Sequence, residues 1–291
     1  SLMGVIALVR QTFADARHYR ADHADWLQRP TARKRPEFNP ALDALGGVID
    51  RKVPLVIEPR SALIVDRAAH VARELGIDFL MVSSGQEWRR PEIPGSVSAP
   101  FIVPVNFPEI PRLPDDDDWH QVSLDQLRVW DWAPENAAVL RKAGREIALT
   151  TFNLGEKKNF RRNVRLSIER GLDENDALAA LTTVPARLCG AEKQLGTIAP
   201  GKLANLTVVE GNSYFDPESK VRSVWIDGKN YTVNFDKPKP PASTAPDAAA
   251  KSKEKKDARE PLKKRTARSP QEGRAPLASP KTLLIHNASL W

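Results

Sequence analysis

The chain has 291 residues but a single cysteine, Cys189. A lone thiol excludes an internal disulfide framework and a cysteine-cluster zinc site, and is expected to pack as a small apolar group. No apolar run approaches the ~20 residues of a membrane span, so no membrane partner is expected. Histidine is scarce, at five residues, and no His-x-His pair occurs. His18 and His23 lie five apart and so point in different directions on a helix. His70 falls mid-helix, His120 in an acidic loop and His286 near the C-terminus. Ser83-Ser84-Gly85 lacks the Gly-x-Ser-x-Gly frame of a nucleophile elbow. Gly201-Lys202 lacks the upstream glycine and the following Ser/Thr of a phosphate loop. The run Asp115–Asp118 lacks the ligand spacing and turn glycine of a calcium loop and reads as a solvated acidic loop. The chain opens on Ser1-Leu2-Met3-Gly4, already within an apolar helical pattern, with no signal peptide and no initiator Met. It reads as an excised or incomplete piece whose compartment is not legible.

What is present is an excess of positive charge, +7 in all. Its distribution argues against nucleic acid as a partner. Between Asp236 and Pro280 stand twelve Lys/Arg and six Asp/Glu, a net of +6, which leaves +1 for the rest. That segment is rich in Pro, Ala, Ser and Lys and has no aromatic residue. It buries too little apolar surface to offset its ordering entropy, and is expected to be a disordered linker over 236–280. A short apolar run, Lys281–Trp291, follows it.

Before the linker, apolar runs of strand length alternate with helical patterns. Helices are predicted at Leu2–Tyr19, Ala41–Ile49 (ending near Gly46-Gly47) and Ala62–Leu75, the last closed by Gly76. Strands are predicted at Val53–Ile57, Asp78–Val82, Phe101–Val105 and Ile147–Thr150. Ser123 opens a further helix, the Trp130–Asn136 stretch starts another running to Ala143, and Lys157–Arg170 forms one that stops at Gly171. Strands separated by helices imply parallel βαβ units. Beyond them, Gly171–Gly211 reads as a helix with an apolar stripe (Ala177, Leu178, Leu181), a turn at Pro185, a second short helix, a Gly-rich loop and a buried strand Asn205–Val209. Val221, Val224, Ile226, Tyr231 and Val233 alternate like strands, with Asp227-Gly228 as a two-residue hairpin turn. The tryptophans Trp88, Trp119, Trp130 and Trp132 are assigned to packing.

The segment GLDENDALAALTTVPARLCGAEKQLGTIAPGKLANLTVVEG resembles the closing signature of the amidohydrolase superfamily, in particular its imidazolonepropionase-like branch. There an "LTxxPAxxLG" helix ends a barrel, and "LGxIxPGKxADLxV" leads into a small β-sandwich. The resemblance implies an α/β fold: the later half of a TIM-like (β/α)8 barrel over 1–200, left incomplete, then C-terminal strands of a β-sandwich over 201–235. Lys202 is carried over as a structural motif residue. Residues 281–291, with the "LLIxNAxL" pattern, resemble the first strand of a following unit. The parent would then be a tandem protein, with that unit as partner and a homo-oligomer as a further expectation.

The resemblance also says where a site should be. In a parallel barrel, catalytic side chains sit at the carboxyl ends of the strands. A hydrolytic member holds one or two divalent cations there, through histidines and carboxylates that activate water. Aligned on the family's strand pattern, Pro54–Pro59 puts Glu58 at one ligand position. Ser83 and Ser84 occupy a second tip, and the final Asp position falls at about Phe152, beside Thr151. Glu58 is a ligand type, but one carboxylate does not hold a hydrolytic zinc. The reading is therefore a domain from a metal-dependent hydrolase of non-peptide C–N bonds, with no metal ligands or catalytic residues of its own, acting as scaffold. Zinc or a similar ion would belong to the second unit. The alternatives are a binding module whose mouth, formed by Glu58, Ser83, Ser84 and Thr151, takes a polar or cationic ligand, and an active hydrolase with its ligands outside this stretch.

Overall fold

In a computed structural model, residues 2–109 and 121–232 are described. Asp115–Asp118, Trp119, His120, Val233, the expected linker over 236–280 and residues 281–291 lie outside them. Helix α1 (Leu2–Gln28) is longer than its apolar pattern predicts. Its polar second half is held by α2 (Pro40–Ala44) and α3 (Gly46–Ile49), where Arg20 forks onto Asp50 at 2.8 and 3.0 Å. The single helix expected over 41–49 is two. Asn39 caps α2 through the amides of Ala41 and Leu42, and the Gly46-Gly47 pair begins α3 instead of ending its predecessor.

Then come β1 (Leu55–Ile57), α4 (Ala62–Leu75), β2 (Phe79–Val82), α5 (Glu92–Ser96), β3 (Phe101–Pro104), α6 (Leu124–Trp132), α7 (Asn136–Lys142), β4 (Ile147–Thr150) and α8 (Phe160–Glu169). Gly76 ends α4 in the left-handed conformation, φ 67°, with its amide turned back to Ala72 and Arg73. The four strands pair in parallel in the order β1-β2-β3-β4, so the α/β class and the parallel sheet are as predicted.

Strand side chains alternate between two faces, and here the faces differ. Leu55, Ile57, Phe79, Met81, Phe101, Val103, Ile147 and Leu149 belong to one alternation set, and all enter the main core with α4, α7, α8 and Phe13 of α1. The opposite set, Val56, Leu80, Val82, Ile102 and Ala148, contributes nothing to that cluster, and Val56 is 55% exposed. The main core thus lies on one face of the sheet, although Val82 and Ala148 of the other set are also buried.

Helices α9 (Glu174–Leu181) and α10 (Thr183–Leu188) follow. The buried face of α9 is Ala177 and Ala180, whereas Leu178, expected in the apolar stripe, is half exposed. The break between the helices falls at Thr182, and Pro185 sits inside the first turn of α10, where a missing amide is tolerated. Cys189 is exposed at the end of α10, not packed as expected. An antiparallel sheet of β5 (Leu206–Glu210), β6 (Lys220–Ile226) and β7 (Lys229–Thr232) completes the described chain. Asp227 and Gly228, both at positive φ (48° and 81°), make the predicted hairpin turn. The strand expected to be buried is mostly exposed, with Val208 at 44%. The small sheet is anchored by the loop before β6. Phe215 enters the main core, and Arg161 of α8 donates to the carbonyls of Tyr214 and Asp216, both at 2.5 Å.

The signature residues hold this arrangement. Lys202 Nζ donates to the Glu192 carbonyl (2.7 Å), Thr197 Oγ1 (2.6 Å) and the Leu195 carbonyl (3.3 Å), stitching the loop that leads to β5. Gly196 has φ +90°, and a Cβ there would lie 2.8 Å from Ala186 Cβ and 3.1 Å from the Thr182 oxygen. Strain and overlap together set the cost, so Gly196→Ala is expected to destabilise by roughly 2–3 kcal/mol. Chemical denaturation reads it directly. An unchanged midpoint would mean that the loop moves freely off α10.

Candidate functional site

A polar cluster sits at the carboxyl end of β2. Ser83 extends β2, its amide donating to the Ile102 carbonyl at 2.8 Å. Gly85, at φ 72°, then reverses the chain into a single helical turn, Glu87–Arg89. That reversal carries Glu87 back beneath the strand end, where it is fully buried. Four donors meet its carboxylate: Ser83 Oγ (2.7 Å), the Ser84 amide (2.7 Å), Ser84 Oγ (2.8 Å) and Asn136 Nδ2 (2.7 Å). Asn136, the first residue of α7, also donates to Ser83 Oγ at 2.9 Å and accepts from the Trp88 amide at 3.0 Å. A buried carboxylate is tolerated only where hydrogen bonds replace its water, and here they do.

An aromatic layer closes one side of the cluster. Trp88 stacks on Trp132 with centroids 6.1 Å apart, and its indole nitrogen donates to the Gly85 carbonyl. Both rings are buried, consistent with packing. The Arg89 guanidinium lies over Trp88 and forks onto Asp125 at 2.6 and 2.9 Å. That hydrogen-bonded guanidinium holds the Asp125 carboxyl below the ordinary carboxylate range. A second buried polar group stands nearby in the chain. Arg170 Nη2 reaches Asp131 Oδ1 at 2.7 Å and Glu135 Oε1 at 2.8 Å, with Arg170 and Glu135 almost wholly buried. Asn163 of α8 donates to the Val105 carbonyl and pins the end of β3.

Of the four residues singled out in the sequence, the structure joins Ser83 and Ser84 in one network. Glu58 and Thr151 are exposed beyond the ends of β1 and β4, and no hydrogen bond among the described residues links them to the serines. Sequence reasoning missed Glu87 and Asn136. Glu87 left a faint trace, a carboxylate three and four residues after a Ser-Ser pair with a glycine between. Asn136 left none, because its partners lie 48 to 53 residues away.

The same tips test whether a catalytic cation fits. A catalytic zinc site takes three protein ligands, drawn from histidine, carboxylate and thiolate. Among the described residues, the strand ends offer the exposed carboxylate of Glu58, two hydroxyls already engaged with Glu87, the Asn106 amide with Glu109 three residues further on, the Thr151 hydroxyl and the apolar Phe152. This donor set does not fit such a cation. Elsewhere, His18 pairs with Asp22 on α1, His23 lies against Tyr19 and His70 is exposed on α4. Among the described residues, no three His, Cys, Asp or Glu side chains gather in a group able to hold a metal.

Comparison with known proteins agrees with the fold. The amidohydrolase family model matches residues 135–231, or 97 of 291 residues. A crystal structure of an amidohydrolase from Thermotoga maritima MSB8 aligns with a TM-score of 0.62 and 24% identity over 80% of this chain. The chain spans 57% of the length of that protein. A second amidohydrolase structure aligns at TM-score 0.49 and 18% identity, covering 67% of this chain and 48% of the other. A prolidase complexed with N-methylphosphonate-L-proline gives 0.48 and 17%, over 67% and 48%. These last two likenesses carry no argument about this chain. No curated protein matches it.

Proposed function

We infer that this chain is an amidohydrolase-type portion of a hydrolase of non-peptide C–N bonds, and that it supplies framework and not the metal centre. The observation carrying this is the fate of the strand-tip side chains. Where such a barrel needs nitrogen and oxygen donors, Ser83 and Ser84 are turned inward onto Glu87 and Asn136, and Glu58 stands alone. Two further features support it. The parallel strands run in sequential order, whereas a doubly wound sheet reverses its order partway. The main core lies on one face of the sheet, as between the strands and outer helices of a barrel, while doubly wound sheets have a core on both. The sheet is then the later half of a (β/α)8 barrel, and Val56, Leu80 and Ile102 face its interior. The imidazolonepropionase-like branch and a following second unit belong to the same reading, resting on the Leu195–Lys202 motif and on residues 281–291.

Metal analysis tests the inference. The purified chain, incubated with zinc, manganese or cobalt and desalted, is expected to retain none of them in stoichiometric amount. It is also expected to leave a panel of cyclic amides unhydrolysed. Near-stoichiometric zinc lost on Glu58→Ala would overturn the framework reading, and turnover of any cyclic amide by the chain alone would do the same.

A further inference from the structure

We propose that a cavity behind the ends of β2 and β3, on the helix side of the sheet, binds a compact neutral molecule with an apolar body and one hydrogen-bonding group. The cavity measures about 280 Å³. It is bounded by Val103, Val105 and Phe107 on the sheet side and by Val129, Ala133 and Ala137 on the helix side. Of the four barrel-mouth positions it touches Ser84 alone; Glu58, Ser83 and Thr151 do not line it. Mostly apolar walls with a few fixed polar groups are the usual character of a small-molecule site.

The polar groups define the ligand. Ser167, on α8, is fully buried and lines the cavity, and its Oγ has no hydrogen-bond partner. A serine inside a helix commonly bonds the carbonyl one turn back, and Ser167 does not. Buried hydroxyls without partners are rare enough to call for an explanation. A group entering the cavity supplies one, because a hydroxyl donates and accepts equally well. The other polar wall is rigid. Ser84 and Asn136 line the cavity but are committed to Glu87, so they shape it without competing for the ligand, while the half-buried Gln86 and the exposed Asn106 complete its polar lining. Among the described residues, no charged side chain lines the cavity. An ion would be desolvated there without a counter-charge, so the ligand is neutral. Ala133 and Ala137 leave room that larger apolar residues would fill. Roughly 150 Å³ of apolar cavity accepts a benzene ring, so a substituted six-membered ring fits here.

Cyclohexanol and cyclohexanone serve as neutral probes, with cyclohexanecarboxylate as the charged control. Binding is followed by thermal shift and by tryptophan emission, since Trp88 donates to the carbonyl of Gly85 in the cavity wall. Both neutral probes are expected to bind saturably, and the carboxylate not at all. Ser167→Ala should weaken both by roughly three- to tenfold, the share of one hydrogen bond, while the free protein keeps or gains Tm. Ala137→Leu should abolish binding by filling the space. Should that variant fold poorly, Ser167→Ala alone decides. Unchanged probe affinity in Ser167→Ala overturns the proposal, as does equal binding of the carboxylate. Absence of any neutral binding, together with a lower Tm in Ser167→Ala, would show that the hydroxyl serves only the packing or a solvent molecule, and overturns it too.

Discussion

Replacing Glu87 with alanine is expected to destabilise the fold by roughly 3–5 kcal/mol, because it strands four donors, two of them on the buried Ser83 and Asn136. Ser83 Oγ, the Ser84 amide, Ser84 Oγ and Asn136 Nδ2 all end on this one carboxylate. The loss is smaller than four separate penalties, since Ser83 and Asn136 already bond each other at 2.9 Å and stay paired. Glu87→Gln should lose about half as much: the amide oxygen still accepts, but its NH2 group faces the Asn136 donor. Ser84→Ala removes one donor and leaves the rest, at about 1 kcal/mol. Urea unfolding of the three variants reads the order Ala, Gln, then Ser84→Ala, largest loss first. If Glu87→Ala unfolds at the parent's midpoint, the carboxylate does not hold the end of β2, and its burial needs another account.

Much of the fold was legible because its signals are local. The apolar runs at β2, β3 and β4 are short and continuous, as strands covered on a buried sheet should be, and Ile147–Thr150 was placed to the residue. Gly76 and Asp227-Gly228 were read correctly because a left-handed backbone leaves few residue choices. The misses have physical reasons too. Leu178 fits an apolar stripe, but the face of α9 that meets the core is Ala177 and Ala180, with Leu181 partly buried beside them. Helix α1 runs on to Gln28 because tertiary ion pairs from Arg10 and Arg20 hold it, and helical propensity does not record those. At the strand tips, composition told which residue types are present: Glu58, Ser83, Ser84 and Thr151. It was silent on which of them meet. Serine hydroxyls look like free ligands until a buried carboxylate is found beneath them. That carboxylate is brought there by a glycine turn, and the Asn136 that completes its shell arrives from an element 49 residues away.

The second large effect is expected at Arg170, where a buried cation serves two acids. Its side chain is 3% exposed and contacts Asp131, 17% exposed, and Glu135, which is fully buried. It also bonds the Asp131 carbonyl at 2.5 Å, so one guanidinium ties α8 to the end of α6 and to the turn before α7. Arg170→Met keeps most of the apolar volume but takes the guanidinium away from the buried Glu135 carboxylate. A loss of about 3–5 kcal/mol is expected, most of it the burden of that charge rather than the worth of the ion pair. The cycle with Glu135→Leu separates the two. If the burden dominates, the double variant Arg170→Met/Glu135→Leu should recover most of the stability lost by Arg170→Met, because a well-packed apolar pair is often as stable as the ion pair it replaces. At roughly 2–4 °C of Tm per kcal/mol for a chain of this size, the recovery is readable by calorimetry. Strictly additive losses in the double variant would locate the energy in packing around each side chain separately. The buried charge would then not be what makes Arg170 indispensable to the junction of α6, α7 and α8.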